Sequence, residues 1–140
     1  MWSVSAAPPV CPVDIVFVVD ESGSIGTGTF NDLTKQFLGE LVGNLDIDSG
    51  NTRVGLVTYS TRVGERFYLN DYSTVAAVQS AISALSFSSG LTNTATALEF
   101  VRTSMLTSSA GDRGNAPNVV VLLSDGMSNR PTDTQVSNGD

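Results

Sequence analysis

Five side chains with oxygen donor atoms occur at three separate places in the sequence, and together they could hold a hard metal ion. Asp20, Ser22 and Ser24 are spaced two residues apart, whereas Thr92 and Asp125 occur much later in the chain. A small set of oxygen ligands that leaves room for water favours Mg²⁺ over most other divalent cations. The sequence therefore predicts a magnesium site, which could also accept Mn²⁺ or Ca²⁺, with two carboxylates and three hydroxyls.

The balance of ligand charges indicates what such an ion could do. Two carboxylates leave a divalent ion only weakly neutralised, and Mg²⁺ prefers six ligands at roughly 2.0–2.1 Å. One coordination position can then be given to a carboxylate from another molecule. This is binding chemistry, which requires no proton transfer.

Each of these residues also has an ordinary structural interpretation. Ser24 or Thr29 could cap the helix that follows, and Thr92 or Thr94 could cap a later one. Asp125 followed by glycine is a common turn pair. Singly, these motifs favour a structural role, but their placement at two strand ends and in one loop favours a shared metal site.

Composition narrows the classes of function. The chain has 140 residues, a formal net charge of -7 and no histidine. The acidity disfavours nucleic acid as a partner, and the lack of histidine excludes His-ligated zinc sites and His-dependent nucleophiles. We predict one domain over residues 13–140, preceded by an extended lead-in over residues 1–12.

The sequence contains one cysteine, Cys11. It is either a small buried side chain or half of a disulfide whose partner lies outside this chain. Residues 1–7 lack the features of a signal peptide, and no apolar stretch is long enough to span a bilayer.

Two apolar strands are predicted to position the carboxylates. Residues 13–19 and 118–123 are almost continuous apolar runs, the pattern of central strands in a parallel sheet. The first run is followed by Asp20 and the second by Ser124 and Asp125. Ligands of such sheets bind beyond the carboxyl ends of the strands, where the strand order reverses. If these strands are neighbours, we expect both carboxylates to open into one crevice.

Other strands and helices alternate with these two. Residues 53–60 and 65–70 predict a hairpin, and Asp71 or Ser73 could cap the helix after it. A second polar loop, residues 86–93, precedes another helix. The alternation predicts an α/β fold with a doubly wound, mostly parallel sheet.

Three helices are predicted from apolar stripes at helical spacing. The stripe of the first consists of Phe30, Leu33, Phe37, Leu38, Leu41, Val42 and Leu45. The stripes of the other two consist of Val75, Val78, Ile82 and Leu85, and of Ala97, Leu98, Val101 and Met105. Each stripe predicts the apolar face of an amphipathic helix.

Three motifs follow one another in the order Asp20-Glu21-Ser22-Gly23-Ser24, Gly90-Leu91-Thr92-Asn93-Thr94 and Ser124-Asp125-Gly126. From about Pro12 to Asn129 the chain resembles the von Willebrand factor A domain family. The opening run from Asp14 to Ile25 is similar to the extracellular branch found in collagen VI, matrilins and integrin α subunits.

The resemblance implies a Rossmann-like fold with strand order 3-2-1-4-5-6 and an antiparallel third strand. It also implies a metal-ion-dependent adhesion site, in which Ser22, Ser24 and Thr92 bind the cation through hydroxyls. Asp20 and Asp125 would bind directly or through water. The implied partner is a protein that presents an Asp or Glu carboxylate, such as a collagen-like matrix component or a cell-surface protein. The implied location is extracellular.

The chain also departs from the family pattern. Ser89 stands where the family usually has a glycine, and the chain ends at Asp140, before the family's last strands and helices. We therefore expect the domain to be incomplete at its C-terminal end. By the same resemblance, Cys11 is expected to pair with a cysteine beyond Asp140, in an oxidising compartment.

Two alternative functions stay open at this point. The domain could be a structural module of matrix assembly whose metal site is unused. It could also be a magnesium-dependent phosphatase of the haloacid dehalogenase type, which likewise has an apolar strand that ends in Asp. Such enzymes carry a second Asp where this chain has Ser22, and they need a basic residue for the phosphoryl charge, whereas Lys35 is the only lysine here.

Overall fold

A computed structural model describes residues 11–23 and 25–124, and within them four strands form one mixed sheet. The strands are β1 (Val13–Asp20), β2 (Thr52–Tyr59), β3 (Val63–Phe67) and β4 (Asn118–Leu123). Their spatial order is β3-β2-β1-β4. β1 pairs in parallel with β2 and with β4, whereas β3 is antiparallel to β2. The predicted order of these strands and the hairpin are confirmed.

Three principal helices lie on the two faces of the sheet. Helix α1 is continuous and consists of Thr27–Thr29, a π-helical turn at Phe30–Thr34, and Lys35–Gly43. Helix α2 is Val75–Ser83. Helix α3 is Thr94–Phe100, continued by a second π-helical turn at Val101–Met105. A separate 3-10 turn, Ser108–Ala110, follows the extended residue Thr107. None of the helices in the described part of the chain is long and apolar enough to cross a membrane.

The two faces of β1 serve two separate apolar layers. Phe17 and Val19 pack in a cluster with residues of α1 and α2, whereas Val16 and Val18 pack in another with residues of α3. Each of these four side chains is at most 1% exposed. Burial on both faces explains why the strand is an unbroken apolar run rather than an alternating one.

The predicted stripe of α1 is partly wrong. Phe30, Leu38 and Val42 are fully buried, but Leu33 is 63% exposed and Phe37 is 52% exposed. The π-helical turn is the physical reason, because its i→i+5 hydrogen bonds add a residue to the turn and rotate everything that follows. The rotation brings Phe30 and Leu38 onto one face and directs Leu33 and Phe37 away from the sheet.

The N-cap of α2 also differs from the prediction. Thr74 caps this helix, and its Oγ1 accepts a hydrogen bond from the Ala77 N–H at 3.1 Å. Asp71 instead accepts one from the Tyr68 N–H at 2.7 Å, in the turn after β3. The cap therefore lies one residue after Ser73, and Asp71 serves the turn rather than the helix.

Two smaller findings concern the hairpin and the cysteine. β3 begins at Val63, two residues earlier than predicted, so only residues 60–62 connect it to β2. Cys11 lies exposed before β1, which rules out the interpretation as a buried small side chain. Its pairing with a cysteine outside this chain stays a prediction.

Candidate metal centre

The first part of the predicted site lies at the carboxyl end of β1. Asp20 is the last residue of the strand, and Asp20 and Ser22 are both 1% exposed. One carboxylate oxygen of Asp20 accepts a hydrogen bond from the Ser22 N–H at 2.8 Å, which folds the loop back over the strand end. The other oxygen accepts one from the Ser124 hydroxyl at 3.0 Å. Asp20 therefore joins the carboxyl ends of β1 and β4, as the switch-point argument requires.

The second part is the Thr92 loop, defined here as residues 86–93. Thr92 is only 2% exposed. The loop contacts the Asp20–Ser22 segment through a backbone hydrogen bond from the Gly23 N–H to the Gly90 carbonyl at 2.9 Å. A second backbone bond, from the Asn93 N–H to the Ser60 carbonyl at 2.9 Å, holds its other end against β2. The structure thus brings Asp20, Ser22 and the Thr92 loop to one edge of the sheet.

Two glycines make this close approach possible. A Cβ atom on Gly23 would lie 3.0 Å from the Ser89 hydroxyl oxygen, and one on Gly90 would lie 2.9 Å from the Ser60 hydroxyl oxygen. Both distances are shorter than ordinary van der Waals contacts. A larger residue at position 23 would press on the Thr92 loop, and one at position 90 would press on Ser60 after β2. Ser89, which stands where the family usually has a glycine, fits against residue 23 because residue 23 is a glycine without a side chain.

The helix caps do not support the structural interpretation in which Thr92 or Thr94 caps α3 and Thr29 caps α1. Asn93 caps α3, and its side-chain oxygen accepts a hydrogen bond from the Thr96 N–H at 3.3 Å. The Thr94 hydroxyl lies 3.1 Å from the Tyr59 hydroxyl, within the core between β2 and α3. Helix α1 follows Gly26 without a side-chain cap, so Thr29 does not cap it.

Two of the predicted ligands, Ser24 and Asp125, lie outside the described residues. The three described ones supply a carboxylate and two hydroxyls, all at most 2% exposed. Such oxygen donors, withdrawn from solvent, fit a hard divalent cation better than a soft one.

Sequence reasoning missed one residue at this edge, Glu21. Its side chain is 1% exposed, and its two carboxylate oxygens accept hydrogen bonds from the Thr58 hydroxyl at 2.9 Å and from the Ser88 N–H at 3.1 Å. Burial raises the pKa of the Glu21 carboxyl above its ordinary value; the negative charges of Glu65 and Asp20 add to the rise, and the two hydrogen bonds oppose it. The local sequence holds no signal for these contacts, since Glu21 occupies a variable position of the Asp-x-Ser-x-Ser motif.

A cavity of about 450 Å³ opens beside Glu21, between β3 and the Thr92 loop. Arg62, Glu65 and Ser86 contribute to its lining. A larger and more open cavity of about 930 Å³ lies between α1 and α2, where Lys35 and Gln79 line it. Among the described residues, no predicted ligand lines either cavity, so cavity size alone does not indicate the functional site.

The fold and this edge define a class of protein. A mixed, doubly wound α/β sheet carries Asp20 at the carboxyl end of β1 and Ser124 just beyond that of β4, and a hydrogen bond joins them where the strand order reverses. This is the Rossmann-like class of domains that bind ligands at the switch point. Residues 14–138 match the family model for the von Willebrand factor type A domain, so the chain belongs to this family.

Its curated relatives include extracellular matrix proteins. The collagen alpha-4(VI) chain of Mus musculus is 43% identical over 126 residues, which cover 86% of this chain and 5% of that protein. Matrilin-1 of Bos taurus is 36% identical over 126 residues, which cover 88% of this chain and 22% of that protein. The chain therefore spans only a small part of the length of these relatives.

Solved structures agree with the fold. Proximal thread matrix protein 1 from the mussel byssus superposes with a TM-score of 0.80 at 24% identity, covering 92% of this chain and 35% of that chain. Another structure of the mussel protein, with a zinc-occupied MIDAS motif, has a TM-score of 0.75 at 28% identity and covers 93% of this chain and 34% of that one. The predicted fold class is confirmed.

Proposed function

We propose that this domain is an extracellular protein-binding module that holds one divalent cation and uses it to bind a carboxylate of a partner protein. The proposed ligands are Asp20, Ser22, Ser24, Thr92 and Asp125. The observation that carries the proposal is the convergence of the Asp20–Ser22 segment and the Thr92 loop through the Gly23–Gly90 hydrogen bond. Mg²⁺ is the proposed resident ion, because the set contains only oxygen donors.

The ligand chemistry explains why a partner's carboxylate would bind there. Two carboxylates formally balance a divalent ion, but where Asp20 or Asp125 binds through water the directly bound ligands carry less negative charge than the ion carries positive charge. Mg²⁺ also keeps positions that water can exchange. An Asp or Glu side chain of a matrix or cell-surface protein supplies the missing charge. The hydrogen bonds to Asp20 from Ser22 and Ser124 hold its carboxylate in place as the ion binds.

The comparisons support the cation and the location. The mussel protein with the zinc-occupied motif is related to this chain in sequence as well as in fold. Relatives such as the collagen VI chain and matrilin-1 favour a secreted matrix or cell-surface setting. Family membership also favours binding over the phosphatase alternative. A phosphatase would need a basic residue for the phosphoryl charge. The ammonium group of Lys35, the only lysine, instead donates to the Ser83 carbonyl at 3.1 Å in the groove between α1 and α2.

A thermal melt in EDTA and then in increasing Mg²⁺, Mn²⁺ or Ca²⁺ tests the cation site. An ion that binds only the folded state adds RT ln(1 + [L]/Kd), about 2.7 kcal/mol at a hundredfold excess over Kd. We expect a saturable rise in Tm that Asp20→Ala and Thr92→Ala abolish. Asp32→Ala and Thr103→Ala are matched controls, because these residues lie exposed on α1 and α3 and should leave the rise unchanged.

Partner binding is tested on immobilised collagen, the kind of matrix component that the resemblance implies, with and without EDTA. Binding that requires a cation and is lost in Thr92→Ala supports the proposed function. Binding that EDTA leaves unchanged contradicts it and favours a structural assembly module with an unused site.

A further inference from the structure

We propose that Glu21 is a positioning residue of the cation site, whose side chain fixes the Thr92 loop against β2 at the place the ligand set requires. The inference rests on the proposed function for its purpose. The positioning itself, however, is a property of the metal-free protein and can be measured there. Glu21 is not proposed as a metal ligand.

The contacts of Glu21 connect two parts of the chain that are distant in sequence. One carboxylate oxygen accepts from the Thr58 hydroxyl at 2.9 Å, and the other accepts from the Ser88 N–H at 3.1 Å. Thr58 is fully buried in β2, and Glu21 is 1% exposed. Because water has little access to these groups, the two hydrogen bonds hold the loop more firmly than exposed bonds would.

Gly64 of β3 provides the space for this carboxylate. A Cβ atom at Gly64 would overlap both a carboxylate oxygen of Glu21 and the Thr58 hydroxyl, and the overlap is too close for any ordinary contact. The Thr58 hydroxyl also lies 3.3 Å from the carbonyl of Glu65, which follows Gly64 in β3. The Glu21 carboxylate is thus the point where the Asp20–Ser22 segment meets both β2 and β3.

Other side chains also anchor the Thr92 loop, but Glu21 differs from them in origin. The exposed Glu65 side chain accepts from the Ser86 N–H at 2.7 Å, and the exposed Thr61 hydroxyl accepts from the Leu91 N–H at 2.9 Å. Both of these anchors come from the hairpin. Glu21 comes from the proposed ligand segment itself, between Asp20 and Ser22, so it couples the positions of ligands on two separate segments.

Glu21 also carries charge close to Asp20, and a pair of variants separates charge from position. In Glu21→Gln the amide oxygen can still accept from the Ser88 N–H. The amide nitrogen can donate to the Thr58 hydroxyl, which then donates to the Glu65 carbonyl. Glu21→Ala removes both contacts. A positioning role is therefore retained in Glu21→Gln and lost in Glu21→Ala.

The test measures Mg²⁺ affinity by calorimetry and backbone amide exchange in EDTA, both on the 140-residue chain. For Glu21→Ala we expect Kd for Mg²⁺ to rise about 10–100-fold, the range for groups that orient metal ligands. Exchange at Ser88 and Thr92 should also become faster in the metal-free protein. For Glu21→Gln we expect a rise in Kd of no more than about threefold, because both hydrogen bonds can be remade.

Two further variants control the comparison. Thr58→Val removes the hydroxyl on the other side of the contact, so it should change affinity and exchange in the same direction as Glu21→Ala. The double variant should lose less than the sum of the two, since the two groups act through one hydrogen bond. Glu40→Ala removes an exposed carboxylate from α1 and should leave both measurements unchanged.

The outcomes separate the inference from the proposed function. If Glu21→Gln loses as much affinity as Glu21→Ala, charge rather than position matters and the inference is overturned. If neither Glu21→Ala nor Thr58→Val speeds exchange in the loop, it is overturned as well. If the unmodified protein binds no cation, the proposed function fails, and the exchange data alone decide whether Glu21 positions the loop. Should Glu21→Ala not fold, Thr58→Val and Glu21→Gln give the same decision.

Discussion

At the scale of single residues, the buried charge of Asp14 is neutralised by one arginine far away in sequence. Asp14 is fully buried, and its carboxylate accepts from the Nε–H of Arg113 at 2.8 Å and from the Arg113 backbone N–H at 2.8 Å. The guanidinium also donates to the carbonyls of Val13, Gly50 and Asn51, each within 3.0 Å. Arg113 therefore fastens the starts of β1 and β2 to the segment before β4.

Replacing Arg113 should strongly destabilise the fold. Arg113→Met leaves the Asp14 carboxylate buried without its counter-charge, a change that typically costs about 3–5 kcal/mol. Urea denaturation measures the loss in the free energy of unfolding. Arg102→Met is the control, because Arg102 pairs with Glu99 where both side chains are more than half exposed, and such pairs contribute at most about 1 kcal/mol. Equal losses in the two variants would contradict the assigned role of Arg113.

Two glycines of different surroundings provide a second prediction. Gly64→Ala forces a methyl group onto Glu21 and Thr58, so we expect a loss of about 1–3 kcal/mol of stability by overpacking. At Gly28 in α1, the same methyl meets no atom within 4 Å, and alanine should be neutral or stabilise by up to about 1 kcal/mol. Thermal melts of both variants check the contrast. A neutral Gly64→Ala would show that the packing around Glu21 is looser than described.

At the scale of elements, β4 is the outermost strand on its side of the described sheet. Val120 is 41% exposed and Leu122 is 40% exposed, although their partners on β1, Val16 and Val18, are fully buried. The layer that contains α3 therefore covers β1 but not β4. An exposed apolar edge strand is a surface on which other strands can pair.

The 140-residue chain should accordingly self-associate through β4. Leu122→Lys places a charge on this edge and should lower the weight-average mass measured by sedimentation at high protein concentration. Thr103→Lys adds the same charge to the exposed side of α3 and should leave association unchanged. Unchanged association in Leu122→Lys would mean that β4 is not the contact.

At the scale of the whole molecule, the contacts that stabilise the fold and the residues proposed to bind the cation lie at opposite ends of the sheet. The Arg113 contacts lie where β1 begins, and the proposed ligands lie where it ends. A strand of this length separates the two ends by roughly 20–25 Å. Two apolar layers fill the space between them, so a local change at one end has little direct effect at the other.

Arg113→Met should therefore lower stability without changing the cation affinity of the folded protein. Calorimetry at a temperature where the variant is still folded should give a Kd for Mg²⁺ within about twofold of the unmodified value. The Thr92→Ala variant should show the reverse, with lost affinity and a smaller loss of stability in EDTA than Arg113→Met. A large change in Kd for Arg113→Met would indicate that the two ends are coupled through the sheet.

The sequence alone determined the features that depend on local pattern. Unbroken apolar runs predicted both β1 and β4, and β4 has the predicted boundaries, residues 118–123. β1 is central as its pattern predicts, whereas β4 is the outermost strand on its side of the described sheet. The motifs around Asp20 and Thr92 predicted which two loops meet, and the structure brings them together. The two strands follow from apolar periodicity, which neighbouring residues encode directly, whereas the meeting of the two loops follows from the switch-point rule and the family motifs.

The tertiary structure alone decided the contacts between distant residues. Glu21 meets Thr58 and Ser88 across 37 and 67 residues of sequence, and Arg113 meets Asp14 across 99. The π-helical turn in α1 likewise decided that Leu33 and Phe37 face away from the sheet. The contacts of Glu21 and Asp14 have no local signature, because a buried charge is compatible with the fold only once the packed chain supplies its partner.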